Sequence, residues 1–211
     1  MSKLKETIQA IGLEVPDPEM LGQIRAYCTE LWKLNEHINL TRHLTYEKFV
    51  SRDLVDTIEV AKLIPEGANV LDVGTGGGVP GVVLQILRPD LEVTLSESVG
   101  KKAQALQEIC NSIGLGLEIY NCRAEELLSD FRFDYTVARA VGPLSKICTW
   151  FAEVWPSVGR LLAIKGPKWV EEKDAAAEKG LLEKVDLRMV AEYPTPGTEW
   201  KSVILQLKAS R

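Results

Sequence analysis

The spacing of hydrophobic positions changes near residue 69. Before it, Met20, Leu21, Ile24, Tyr27, Cys28, Leu31 and Leu34 recur every three or four residues. That period gathers side chains on one face of a helix. Pro16-Asp17-Pro18 stands at the start of the run. A second helix is predicted from Thr45, a capping residue, although Lys48 stands where a capping box would carry Glu. Phe49, Leu54, Ile58 and Leu63 form its apolar stripe, and Pro65 closes it. From Asn69 onward, short apolar runs alternate with amphipathic stretches. Strands are predicted at 69–74, 92–97, 117–121, 133–138 and 159–165. Helices fall between them at about 80–88, 99–113, 124–129 and 143–155, followed by a charged helix near 168–184. The final strands, 187–193 and 200–208, have no long helix between them and are expected to pair antiparallel. The pattern predicts an α/β protein with a seven-stranded, mostly parallel sheet. Residues 1–64 form an N-terminal helical extension and residues 65–211 one compact domain.

The first strand carries the most telling chemistry. Val70-Leu71-Asp72-Val73-Gly74-Thr75-Gly76-Gly77-Gly78 reads as a buried strand, an acid at its carboxyl end, and a glycine turn into a helix. Glycine permits positive φ and close approach of a ligand. Parallel α/β sheets bind ligands outside the carboxyl ends of their strands. A dinucleotide turn aims helix amides at a pyrophosphate, which the Asp72 carboxylate would repel. Asp72 suits a ligand with a positive end and no phosphate, such as S-adenosylmethionine with its ammonium and sulfonium. Glu97, at the end of the second strand, stands where a carboxylate accepts hydrogen bonds from ribose hydroxyls. Parallel strands closed by an antiparallel hairpin match the Rossmann-like class I S-adenosylmethionine-dependent methyltransferase fold. A nicotinamide dehydrogenase would end on a sixth parallel strand instead.

Composition narrows the setting. Hydrophobic residues make up 45% of the 211 positions, ordinary for a chain with a real core. No apolar run approaches the roughly 18 residues of a membrane span. Met1-Ser2-Lys3-Leu4-Lys5-Glu6 lacks the apolar core of a signal peptide, so a cytoplasmic location is expected, with no membrane contact. Cys28, Cys110, Cys122 and Cys148 have no metal-ligand spacing and read as reduced core thiols. His37 and His43 lack ligand partners in the sequence, so no metal is expected. The formal net charge of −5 gives no support to nucleic-acid binding. If the substrate is nucleic acid, basic residues must gather on one face. A monomer is expected.

Several segments then bear on the substrate. Asn121-Cys122-Arg123-Ala124-Glu125-Glu126 follows the third strand, where Ala124 leaves room for an adenine ring and the acids also complement a helix dipole. The fourth strand runs into Ala138-Arg139-Ala140-Val141-Gly142-Pro143 without the Pro-Pro-aromatic motif that usually accompanies methylation of an exocyclic amine. A ring nitrogen such as guanine N7 needs no such motif. Its lone pair lies in plane and it loses no proton on attack, so proximity and alignment carry the reaction. Arg139, at that strand end, can fork to a carboxylate or phosphate. Lys165 and Lys168 flank Gly166-Pro167, and Asn39-Leu40-Thr41-Arg42-His43 joins the two N-terminal helices. With Lys101-Lys102, these can make the positive patch that an acidic protein needs to hold RNA.

On these segments the chain resembles the glucose-inhibited-division protein B family of bacterial small-subunit rRNA guanine-N7 methyltransferases. The resemblance runs through Asn39-Leu40-Thr41, Asp72-Val73-Gly74-Thr75-Gly76-Gly77-Gly78-Val79-Pro80-Gly81, Ser98-Val99-Gly100-Lys101-Lys102, Arg123-Ala124-Glu125-Glu126, Ala138 to Leu144 and Leu162 to Pro167. It implies cofactor contacts at Gly74, Val79, Ala124, Glu125 and Arg139. With the turn and the ribose-end residues, the expected cofactor set also holds Asp72, Gly76, Glu97 and Ser98. Arg139 is expected to touch both cofactor and target nucleotide as the catalytic residue, with Asn39, Arg42 and Lys165 holding RNA. The expected partner is ribosomal RNA or the small ribosomal subunit. The chain departs from the family at Glu97-Ser98, where Asp-Ser is usual, at Arg52-Asp53, where Arg-His is frequent, and near Trp200-Lys201, where an Arg appears replaced. Two alternatives stay open: a small-molecule methyltransferase, and a cofactor-binding protein that docks on the ribosome without turnover.

Overall fold

The computed structural model describes residues 3–210. Helices α1 (Lys3–Ala10) and α2 (Pro18–Asn35) lead into α3 (Tyr46–Lys48), a π-helical turn (Phe49–Leu54) and α4 (Val55–Ala61). Asp17 starts α2 by accepting hydrogen bonds from the amides of Glu19 and Met20 at 3.0 and 2.9 Å. Thr45 caps α3, its hydroxyl accepting from the Lys48 amide at 3.3 Å. Helix α1 escapes the periodicity argument because its buried face is only Leu4 and Ile8. The predicted second helix is one continuous rod only in outline, since a wider π turn interrupts it. Such turns concentrate at functional sites, and this one carries Arg52 and Asp53.

Seven strands follow: β1 (Asn69–Val73), β2 (Glu92–Ser96), β3 (Glu118–Tyr120), β4 (Phe133–Arg139), β5 (Val158–Lys165), β6 (Val185–Pro194) and β7 (Lys201–Ala209). The intervening helices are α5 (Gly81–Leu87), α6 (Gly100–Ser112), α7 (Ala124–Asp130), α8 (Leu144–Phe151) and α9 (Trp169–Glu178). The sheet order is β3-β2-β1-β4-β5-β7-β6, with only β7 antiparallel to its neighbours. The expected class I architecture is therefore present. Chain progression reverses between β1 and β4, and ligands bind such sheets outside the carboxyl ends at that switch.

Two element ends differ from the predicted ranges. Helix α8 stops at Phe151, and a 3₁₀ turn at Trp155–Ser157 leads into β5. Helix α9 stops at Glu178 because Gly180 adopts φ +69°, which leaves room for β6 to begin at Val185.

One core covers each face of the sheet. Ile24, Tyr27, Cys28 and Leu31 of α2 pack with Val82, Leu84 and Leu106 over Val70, Leu95 and Val137. On the other face Leu144, Ile147, Cys148 and Phe151 of α8 cover Leu71, Val73, Leu161 and Leu205. The N-terminal helices thus share a core with the sheet.

Candidate active site

Two cavities open where β1 and β4 end. The smaller, about 200 Å³, is lined by Gly74, Glu97, Ser98, Ala124, Glu125, Val141 and Trp150, among others. The larger, about 970 Å³, lies between the Asn39–His43 loop, the π turn and the ends of β4 and β5. They adjoin, because Val141 lines the first while Ala140 and Gly142 line the second.

The smaller cavity is shaped by backbone. Register places Val73 beside Ser96, so the chain leaves β1 next to Glu97. Gly74 and Gly76 turn with φ +63° and +59°. A Cβ on Gly74 would come within 2.8 Å of Val141 Cγ1, which any side chain there would have to displace. Glu97 ties the turn together: Oε2 accepts from the Gly76 amide at 2.9 Å and Oε1 from the Val99 amide at 2.8 Å. A carboxylate has acceptor capacity beyond these two bonds, and Glu97 lines the cavity.

Asp72 lies elsewhere than the sequence pattern implied. It is 1% exposed and sits under the turn, lining neither cavity. Oδ2 accepts from the Thr75 hydroxyl at 2.6 Å and the Gly81 amide at 2.8 Å, while Oδ1 is buried without a protein partner among the described residues. Burial pushes its pKa up to about 6, against the pull of the Thr75 and Gly81 bonds and the Arg139 charge. The reason is spatial. Gly81 packs so closely that a Cβ there would meet Asp72 Oδ2 at 2.7 Å, and this holds the carboxylate beneath the loop. Asp72 therefore shapes the turn and supplies negative potential from below. Gly76 and Val79 also stand back from the cavities. The first is bound to Glu97, and the second is 8% exposed within the core.

The larger cavity is shaped by long side chains. Arg42, His43, Lys48, Arg52, Lys102, Arg139 and Lys165 all line it, with Asp56 and Glu172 as acids. An acidic chain thus gathers its positive groups on one face, as RNA binding requires. Asn39 is also here.

The cations differ in what they can offer. Arg139 is mostly buried, and its NH1 contacts Asp53 Oδ1 at 2.6 Å and Asp56 Oδ2 at 3.3 Å. Tyr193 donates to Asp56 Oδ1 at 2.7 Å. Lys165 is 8% exposed and donates to the Gly142 carbonyl and to Glu172 Oε2, at 2.5 and 2.8 Å. Neither is the free phosphate ligand that its place in the sequence implied, because Arg139 is paired with Asp53 and Asp56 and Lys165 with Glu172. Arg42 and Lys48, by contrast, are exposed and carry no ion pair among the described residues. Next to Arg139, Ala140 holds φ +57°, a strained state for a residue with a Cβ and a type of strain that clusters at functional sites.

Sequence reasoning did not single out Trp150 and Val141 as cavity walls, or Asp53 and Asp56 as the partners of Arg139. The spacing Asp53-x-x-Asp56 on one helical face was the available signal.

Sheet order, hairpin and cavity at the β1–β4 switch define a class I methyltransferase. The chain matches the GidB family model, described as rRNA small subunit methyltransferase G, over residues 20–197, and it belongs to that family. A Ribosomal RNA small subunit methyltransferase G of Rhodopirellula baltica is 48% identical over 92% of this chain and 83% of its own. One of Desulfotalea psychrophila is 34% identical over 97% of each. Among solved structures, a methyltransferase from Pyrococcus furiosus aligns over 90% of this chain and 99% of its own, with TM-score 0.59 and 11% identity. A mutant MtNAS in complex with S-adenosylmethionine gives 0.59 at 15% identity, over 90% of this chain and 74% of its own. These last two show likeness of fold.

Proposed function

We propose that this protein methylates N7 of a guanine in small-subunit ribosomal RNA, using S-adenosylmethionine, in the bacterial cytoplasm and as a single chain. The observation that carries the reading is the junction of a small backbone-walled cavity with a large cation-lined one, in a member of this family. The residues present fit the cofactor. Glu97 and Ser98 would hold the ribose end and Ala124 and Glu125 the adenine, since all four line the smaller cavity with Gly74. The buried, unpartnered Oδ1 of Asp72 favours a ligand with positive charge above the turn. When bound, the cofactor supplies an electrophilic methyl group on a cationic sulfur.

The protein's task is then alignment. Guanine N7 gives its in-plane lone pair to the methyl carbon as the carbon–sulfur bond breaks, and the sulfur keeps the electron pair. No proton leaves N7, so no side chain need act as base. Arg42, Lys48, Arg52 and Lys102 hold phosphates, while Arg139, fixed by Asp53 and Asp56, lines the larger cleft. The size and charge of the cleft favour RNA over a small molecule. The test is methyl transfer from labelled cofactor to small ribosomal subunits, followed by nucleoside mapping. Label in 7-methylguanosine is expected. An unlabelled RNA, or a methyl group on an exocyclic amine, overturns the reading.

A further inference from the structure

Six of the side chains that line the larger cleft are hydrogen-bond donors only: Arg42, Lys48, Arg52, Lys102, Arg139 and Lys165. A guanine presents acceptors at O6 and N7, which donors can read, but its N1–H and N2 amino group need acceptors. The two acids in the cleft already serve protein donors. Asp56 takes Arg139 on Oδ2 and Tyr193 on Oδ1. Glu172 takes Lys165 and the Leu144 amide (2.9 Å) both on Oε2, which leaves only its Oε1 without a protein donor among the described residues. Asn39 is exposed and can turn either amide atom inward, so it does not choose between a donor and an acceptor.

His43 is different. Its Nδ1 lies 2.8 Å from Asp53 Oδ1, on a side chain 1% exposed whose same oxygen also holds Arg139. An ionised carboxylate can only accept, so in the neutral form of the imidazole the proton sits on Nδ1. Nε2 is then a lone-pair acceptor, and it has no protein partner among the described residues. The ring is held by its backbone as well. The His43 amide donates to Thr41 Oγ1 at 3.0 Å, and its carbonyl accepts from Trp32 Nε1 at 2.8 Å. Asn35 Oδ1 accepts from the amides of Leu40 and Thr41, both at 2.8 Å, and so braces the loop from α2.

We propose that His43, with its tautomer fixed by Asp53, reads the Watson–Crick edge of the target base through Nε2 and makes the site specific for guanine. This rests on the guanine-N7 reading above. An adenine would set its own N1 acceptor against Nε2, two lone pairs facing each other, and an acceptor left unpaired in the contact is costly. Asp53 acts through His43 and is a positioning residue.

The experiment uses the full chain and reconstituted small subunits carrying guanosine or 1-methylguanosine at the mapped target, with the wild type, His43→Ala and His43→Gln. The wild type is expected to prefer guanosine by roughly 10- to 100-fold in kcat/KM, the range of one good base-edge contact. His43→Ala should lose a similar factor on guanosine, mostly in KM, and show little preference between the two substrates. His43→Gln, which can present an amide oxygen, should recover most of the loss. Cofactor affinity by calorimetry should be equal in all three, which establishes that each is folded. Full activity of His43→Ala on guanosine, an undiminished preference in that variant, or no advantage of Gln over Ala overturns the inference and leaves the proposed function standing. A wild type that makes no 7-methylguanosine overturns both.

Discussion

Around Gly74 the walls join a backbone turn to Glu97, Val141 and Trp150, and around Arg139 they are mostly long charged side chains. The smaller cavity borders a turn set by two positive-φ glycines, Gly74 and Gly76, and by one carboxylate, Glu97, that binds two amides. Little side-chain entropy is lost when a ligand enters such a site, because main-chain bonds already fix its walls. The larger cleft gathers six Lys and Arg side chains, some locked into ion pairs and some free. Its ligand must be met by rearranging solvated groups, and its binding is open to screening by salt. The difference sets two expectations: cofactor affinity should depend on the turn and the carboxylate beneath it, and RNA affinity on the free cations of the larger cleft.

The sharpest test of that separation is Gly74→Val. Positive φ costs a residue with a Cβ about 1–2 kcal/mol, and the clash with Val141 adds overpacking of about 1–3 kcal/mol. Cofactor affinity by calorimetry should fall at least about 30-fold, with the salt slope of RNA binding unchanged. A variant that binds cofactor normally would show that the turn does not shape the pocket.

Next in size is Asp72→Asn. The folded pKa of about 6 lies above the ordinary aspartate value of 3.8, so the stability tied to the protonated form is complete below about pH 4 and is lost as pH rises through 6. At neutral pH the ionised group costs on the order of 3 kcal/mol. Urea unfolding should find Asp72→Asn more stable than the wild type at pH 7.5, with a smaller gap at pH 5. Cofactor binding should weaken roughly 10- to 150-fold through loss of the charge. A variant equal to the wild type in both respects would remove Asp72 from the account.

In the larger cleft, Arg42→Ala should lower the salt slope of RNA binding by about one, the signature of one lost phosphate contact. Lys165→Ala should leave the slope nearly unchanged, because its ammonium is already paired. Equal slopes for the two variants would erase the distinction between free and locked cations. The smallest effect is an absence: single-turnover rates at saturating subunits should stay flat from about pH 6 to 8.5, since no group must lose a proton for N7 to attack. A rise with slope near one would assign a base to the chemistry.

What was legible in the sequence was local. The strand at Val70–Val73, its glycine turn and the acid at Glu97 lie within short windows whose residue types allow few conformations. The ranges of β1, β2 and β4 accordingly match to within about a residue. The end of α9 was also local, since Gly180 with Lys179 before it is a helix stop that periodicity alone overlooks. Partnership between distant segments was not legible. Arg139 and Asp56 are 83 residues apart, and no spacing rule announces that an apparent phosphate ligand will be met by two aspartates. Asp72 was recognisable as a carboxylate beneath a glycine turn. Its turning inward depended on the closeness of Gly81, which only packing reveals.

The hydroxyl of Tyr27, fully buried in α2, donates to the Gly77 carbonyl at 2.6 Å across 50 residues of chain. A ligand seated on the glycine turn therefore restrains a carbonyl that α2 is holding from behind. Amide hydrogen exchange in Ile24–Leu31 should slow when cofactor binds, although none of those residues lines the pocket. The N-terminal helix becomes a gauge of occupancy, readable by deuterium uptake in a segment remote from the reacting atoms.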